Sequence, residues 1–177
     1  MFVDHHKCHA ACAHYSNPVK NNRNAKPNLI LTSDGAGDGL SATVSIGHEN
    51  NIQRIASTTF YNSLGNVLYS EITGYLGLQR WEHEYKLMGM APYGKAENSI
   101  EKIKKIIRIN TRKPLEFQNT TGAVGPYIGL KLKHLLHEER FDNFCAATQL
   151  YFEQLVKQWV KNAIKKTDLH NVVCSCG

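Results

Sequence analysis

Three histidines fall within five residues near the start of the chain, in the run Asp4-His5-His6-Lys7-Cys8-His9. On a helix, His5 and His9 stand one turn apart and present two imidazoles on one face, a spacing suited to metal ligation. His6 is rotated about 100° from that face. Cys8 also points off it and is read as a core thiol. The plainer alternative makes His5 and His9 surface or capping residues. A second cluster, Ser33-Asp34-Gly35-Ala36-Gly37-Asp38-Gly39, sets glycines on alternate positions. Such a stretch lets the backbone approach a ligand and aim N–H groups at an anion, so Gly35 and Gly37 are candidate cofactor-binding positions. Asp34, at the exit of an apolar strand, is the candidate carboxylate ligand. Read as an ordinary hairpin turn, the same stretch needs no ligand, and Asp38 suits that role. Two imidazoles and a carboxylate leave coordination positions open, which fits Fe(II), with Zn(II) or Mn(II) as alternatives. An ion held this way would grip phosphate oxygens and neutralise charge developing on them. A third cluster, from Glu84 to Gly94, offers the Lys86 ammonium as a point charge, with Gly89, Pro92 and Gly94 fixing a tight loop beside it. On the residues alone, a solvated lysine ahead of a structural loop is the reading to prefer for that stretch.

The elements that must position these groups are legible as periodicities. Asp4 can cap a helix from His5 to Tyr15, stopped by Ser16-Asn17-Pro18. After a basic loop from Lys20 to Pro27, Leu29-Ile30-Leu31 forms a strand running into the glycine-rich turn. Residues 41–46 alternate, with Ala42, Val44 and Ile46 on one face and Ser41, Thr43 and Ser45 on the other. A turn at Glu49-Asn50-Asn51 leads to a third strand, Ile52 to Phe60, completing an antiparallel meander. Helical spacing runs from Ser63 to about Leu76. A loop is expected over 88–94, and a second amphipathic helix through Ile100, Ile103, Ile106 and Ile107. Residues 110–127 read as a loop or weak strand. The longest helix spans Phe141 to Lys166, burying Phe144, Thr148, Tyr151, Phe152, Leu155, Trp159 and Ala163, with lysines at its negative end. Val172-Val173-Cys174 opens a final strand. Phe2-Val3 looks like a strand end, so both termini look cut from a larger domain.

At 177 residues the chain is the size of one domain or two close lobes, large enough to bury a core without staples. Its formal charge of +6 fits anionic partners such as phosphates without establishing nucleic-acid binding. The basic residues are scattered and lack interleaved aromatic platforms. Five cysteines form no CxxC pair and read as reduced, mostly buried thiols. No apolar run reaches the roughly 20 residues that span a bilayer, and no leader precedes Asp4, so a cytoplasmic protein without a membrane partner is expected.

Taken in order, several stretches resemble the NodU/CmcH-type carbamoyltransferase family. They are Val3-Asp4-His5-His6 with His9-Ala10, Ser33-Asp34-Gly35 with Gly37, and Ser63-Leu64-Gly65. The most specific is Lys86-Leu87-Met88-Gly89-Met90-Ala91-Pro92-Tyr93-Gly94, followed by Thr148-Gln149 with Phe152-Glu153. The resemblance covers nearly the whole chain. It implies a mixed α/β, actin-like ATPase (ribonuclease H-like) domain fragment over 1–177, of the same branch as the tRNA threonylcarbamoyl-transferring proteins. A C-terminal YrdC-like domain would be absent from this chain. It further implies that carbamoyl phosphate and ATP give a carbamoyl-adenylate in that second domain. The core would then pass the carbamoyl group to a hydroxyl of a sugar or antibiotic-like small molecule. Residues matching the family's iron ligands are His5, His9 and Asp34, with a further aspartate ligand beyond Gly177. Lys86 becomes the candidate catalytic residue, meeting a phosphate or carbamoyl oxygen. The family's nucleotide-contacting Gly-Gly pair is represented by Gly177 alone, since Cys176 stands where the first glycine is expected. Nucleic acid is not an expected partner, a homodimer of the full enzyme is, and this fragment alone is expected to be inactive. Two other functions compete: a tRNA threonylcarbamoyl-transfer relative, and a non-catalytic module in which the metal only holds the fold.

Overall fold

The computed structural model describes residues 3–17, 26–125 and 127–176. A four-stranded mixed sheet organises it, in the order β3-β2-β1-β6. The strands are β1 (Asn28–Gly37), β2 (Leu40–His48), β3 (Asn51–Thr59) and β6 (Val172–Cys176). The first three form the expected antiparallel meander, and β6 adds to β1 in parallel, with Leu29 opposite Val172 and Ser33 opposite Cys176. β1 is therefore buried on both faces. Leu29 and Leu31 enter the main core with Val44, Leu68, Phe144 and Trp159, while Ile30 packs under Ala10 and Ala13 on the other side.

That second face is covered by α1 (His5–Tyr15). Asp4 caps it as expected, its carboxylate accepting the Lys7 N–H at 2.8 Å, and it also pairs with Arg54. The small residues Ala10 and Ala13 let the helix lie close to the sheet. The alternation read in β2 is present, but its polar face is not solvated. Ser41, Thr43 and Ser45 are buried along with Ala42 and Val44. The hydroxyls of Thr32 and Thr43 pair at 2.7 Å, and His6 meets Thr32 at 2.8 Å, so polar groups between helix and sheet find one another.

On the opposite face lie a π-helix (Leu64–Ser70) that passes into α2 (Glu71–Tyr75), and α6 (Phe141–Thr167). The helix expected over 63–76 thus exists but opens with wider i→i+5 turns. α6 lies within a residue of its expected limits and buries Phe144, Thr148, Tyr151, Leu155, Trp159 and Ala163, with Phe152 only partly covered. The polar tips of Tyr151 and Trp159 donate to the carbonyls of Ile107 and Leu115, each at 2.8 Å.

Two expectations are corrected, and one helix is added. The stretch expected as a loop over 88–94 begins as α3 (Glu84–Met90), and a 3-10 turn follows over Ala91–Tyr93. Buried Leu87 anchors that helix, and Gly89 costs it only about 1 kcal/mol without breaking it. The second amphipathic helix is only α4 (Ile100–Ile103), and Ile107–Ile109 is instead β4, paired with β5 (Phe117–Asn119). A run of β-branched residues favours the pleated geometry over a further helical turn. A further helix, α5 (Tyr127–Leu135), was not anticipated, although Ile128, Leu132 and Leu136 repeat every four residues and are buried. Among the described residues no helix is long and apolar enough to cross a membrane.

Candidate metal centre

Capping and a bulge bring the predicted ligands together. α1 begins beside the tip of the β1–β2 hairpin, where the Asp38 carboxylate accepts the His5 backbone N–H at 2.8 Å. Asp38, at φ 50°, is thus both the expected turn residue and a tie between hairpin and helix. In the β1–β2 ladder Ser33 pairs with Ala42 and Gly37 with Leu40, so residues 34–36 face only Ser41. Surplus residues on one strand bend it and re-aim side chains. Asp34 sits in this bulge. Gly37 lies beneath the His5 ring, where a Cβ would fall 2.0 Å from the ring carbon Cδ2, so a residue without a side chain is required for His5 to stand where it does.

His5 Nε2 lies 2.6 Å from Asp34 Oδ2, His9 Nε2 lies 3.1 Å from His5 Nε2, and His9 Nε2 lies 3.6 Å from Asp34 Oδ2. These ligand atoms all fall within 4.8 Å of one another, a constellation that could hold a metal ion. The donor set fits an ion well. Cis ligands about 2.1 Å from an octahedral centre stand about 3.0 Å apart, and the three separations bracket that edge. Two imidazole nitrogens converging on one carboxylate oxygen also call for a cation or shared proton between them. His9 Nδ1 is 3.1 Å from Ser175 Oγ, an outer partner of the kind that fixes a ligating ring and leaves Nε2 free. The Asp34 side chain is 18% exposed and that of His5 43%, so the centre opens to solvent on the His5 side. Burial alone would push the Asp34 carboxyl up. Hydrogen bonds from His5 and the Gly35 N–H, with the nearby His5 and His9 charges, outweigh it and hold the group below the usual carboxylate range.

His6 takes no part: it is buried, off the ligand face as expected, and burial lowers its tendency to protonate. Cys8, read as a core thiol, is exposed, and so are Cys12, Cys174 and Cys176, leaving Cys145 as the buried thiol of the five. The expectation of mostly buried thiols is therefore overturned, because α1 turns its cysteine face to solvent and β6 is an edge strand. Gly35 lies next to Asp34 in the bulge, and its carbonyl accepts from Ser63 Oγ at 2.9 Å and Asn66 Nδ2 at 2.7 Å, tying the bulge to the π-helix. A cavity of about 350 Å3 opens beside Asp34 and Gly35, walled by Phe152 and Trp159 of α6 and by Cys174 and Cys176. Lys86 stands on a different element, α3, with its Nζ 5.8 Å over the Tyr85 ring. Gly177 lies outside the described residues. Sequence reasoning missed Ser175 and the capping part of Asp38. Only the pairing of β6 with β1, and the hairpin's position against α1, bring them here.

A family model described as the carbamoyltransferase N-terminus matches residues 1–177. The chain belongs to this family. Among curated relatives of this carbamoyltransferase N-terminus, an uncharacterized protein of Methanocaldococcus jannaschii is 32% identical over 133 residues, 75% of this chain and 23% of that protein. Nodulation protein NolNO of Sinorhizobium fredii is 39% identical over 93 residues, 52% of this chain and 12% of that protein. Nodulation protein NolO of Bradyrhizobium diazoefficiens is 36% identical over 92 residues, 52% of this chain and 15% of that protein. The chain thus spans less than a quarter of the length of each.

Proposed function

We propose that this chain is the metal- and nucleotide-binding core of an O-carbamoyltransferase of actin-like ATPase fold. In that reading a carbamoyl-adenylate, made from carbamoyl phosphate and ATP elsewhere in the complete protein, is delivered to the centre held by His5, His9 and Asp34. The acceptor is a small molecule carrying a hydroxyl, whose oxygen attacks the carbamoyl carbon as AMP departs. The observation that carries the proposal is the convergence of two imidazoles and a carboxylate beside a walled cavity, in a chain of this family. Fe(II), or Zn(II) or Mn(II) in its place, would supply charge neutralisation at phosphate oxygens when bound.

The chain's own groups do the rest. Ser175 orients His9, the Gly35 N–H steadies one Asp34 oxygen, and Gly37 leaves room for His5. Phe152 and Trp159 give the cavity an apolar wall that excludes water from a reactive acyl donor. Gly35, in the wall of the cavity, has no side chain to bar close approach of a nucleotide, whereas Gly37 is taken up by the His5 ring. Lys86 is assigned to a phosphate or carbamoyl oxygen of the donor.

The test uses the full-length protein with carbamoyl phosphate, ATP and Fe(II). Pyrophosphate release reports adenylate formation, and AMP release reports departure of the carbamoyl group. His9→Ala and Asp34→Asn should leave pyrophosphate release intact and lower AMP release by about 100-fold or more. A full-length protein that releases no pyrophosphate, or whose AMP release is indifferent to both substitutions, sinks the reading.

A further inference from the structure

α1 runs antiparallel across β1, and its contacts fall on alternate residues of that strand. Asn28, Ile30, Thr32 and Asp34 share one face of β1, because successive side chains of a strand point to opposite sides. His14 Nδ1 lies 2.9 Å from Asn28 Oδ1, and Ile30 packs under Ala10 and Ala13. His6 Nδ1 lies 2.8 Å from Thr32 Oγ1, and His5 Nε2 lies 2.6 Å from Asp34 Oδ2. His6 and His14 are eight positions apart, about 12 Å along a helix. Thr32 and Asn28 are four apart, about 13 Å along a strand. The two spans match, so the helix is pinned to the strand at both ends of its buried face.

The pin far from the centre is complete. His14 Nε2 also meets the Glu49 carbonyl at 2.9 Å, and Gly47 leaves room for the ring, since a Cβ there would fall 2.5 Å from His14 Nδ1. The pin beside the centre hangs on one bond. His6 is fully buried, and its Nε2 makes no hydrogen bond among the described residues. The Leu40 backbone, across the bulge, is near enough to favour a proton on the ring but falls outside hydrogen-bond geometry. Thr32 Oγ1 therefore carries the ring's orientation, and Thr43 Oγ1, 2.7 Å from it on β2, holds that hydroxyl in turn.

The pin touches the neighbours of all three converging groups. His6 follows His5 directly and lies three residues before His9, and Thr32 stands two residues before Asp34 on the same face of β1. One hydrogen bond thus ties the element carrying both imidazoles to the element carrying the carboxylate. We propose that His6 and Thr32 are positioning residues, which set how closely His5 and His9 approach Asp34 although neither is a ligand. Loss of the Thr32 hydroxyl would leave both nitrogens of a buried ring unpaired. The ring would relieve that by turning, and the first turn of α1 would turn with it. The effect on an ion rests on the metal-dependent reading of the centre; the clamp on the three side chains does not.

His6 is too deeply buried to replace without disturbing the core, so the test acts on its partner in the full-length protein. Thr32→Val removes the hydroxyl at nearly constant volume, Thr32→Ser keeps it, and Asn28→Ala removes the equivalent bond at the far pin. Thr32→Val and Asn28→Ala should both lower the melting temperature. Anaerobic calorimetric titration with Fe(II) should show affinity weakened roughly 10- to 100-fold in Thr32→Val, and close to wild type in Thr32→Ser and Asn28→Ala. In the metal-free proteins, diethyl pyrocarbonate should modify His5 several-fold faster in Thr32→Val than in wild type or Asn28→Ala, as mapped by mass spectrometry. Either wild-type affinity or wild-type His5 reactivity in Thr32→Val overturns the inference, and so does an equal change in Asn28→Ala. A wild-type protein that takes up no Fe(II) removes the ion alone, and the modification rates then decide the clamp.

Discussion

At the scale of single residues, the centre depends on atoms that are absent as much as on those present. Adding a methyl group at Gly37 places a carbon 2.0 Å from the His5 ring, and the ring is the part able to move. Gly37→Ala should therefore leave the fold intact and weaken Fe(II) binding by roughly 10- to 100-fold, the range for disturbed ligand orientation. Anaerobic calorimetric titration reads this directly, and an unchanged affinity would show that His5 is not a ligand. The three converging side chains were legible in the sequence as candidates, because a helical i, i+4 histidine pair and a carboxylate at a strand exit are local patterns. Ser175 was not, since its contact with His9 crosses 166 positions and depends on the register of β6 against β1. The cavity lined by Glu71, Arg80 and Trp81 was equally hidden, since those residues carry no motif and only the packing of the π-helix, α2 and the turn before α3 gathers them.

Among the elements, those with long or capped periodicities came through: α1, the meander β1–β3 and α6 all lie close to their expected limits. The misread ones are short and held by tertiary contacts. α4 is one example, with four residues in its helix. It is tethered from outside, as Lys102 pairs with Glu139 at 2.6 Å and Ser99 donates its hydroxyl to the same carboxylate. The Lys102 and Ser99 hydrogen bonds pull the Glu139 carboxyl below its ordinary value of 4.5. A depressed carboxylate stabilises the fold above the unfolded-state pKa, and that contribution disappears as pH falls through the lower folded-state value. Glu139→Gln should cost about 1 kcal/mol at neutral pH, a modest figure because Lys102 is partly solvated. The difference from wild type should vanish in acid. Urea midpoints at pH 7 and pH 3 check both parts, and an equal loss at the two would refute the ionic account.

For the whole molecule, the centre is assembled from the two ends of the described chain: His5 and His9 from α1, Asp34 from β1 and the supporting Ser175 from β6. An unfolded chain cannot present these groups together, so an ion that binds them stabilises only the native state. At a free concentration a hundredfold above Kd, Fe(II) should add about 2.7 kcal/mol to the unfolding free energy. His9→Ala should abolish that gain, as seen in anaerobic thermal melts of the two proteins with and without the ion. A melting temperature indifferent to Fe(II) in the wild type would remove the metal from the account. The bulge in β1 bears on how such an ion could be taken up. Leu29 to Ser33 are locked between β2 and β6, and Gly37 is locked to Leu40, while the three residues between them have only Ser41 across the ladder. That surplus length stands outside the rungs of the sheet and is held to the π-helix through the Gly35 carbonyl instead. Were a cation to arrive, the Asp34 carboxylate would exchange His5 for it at a point where no rung between the strands has to be unzipped.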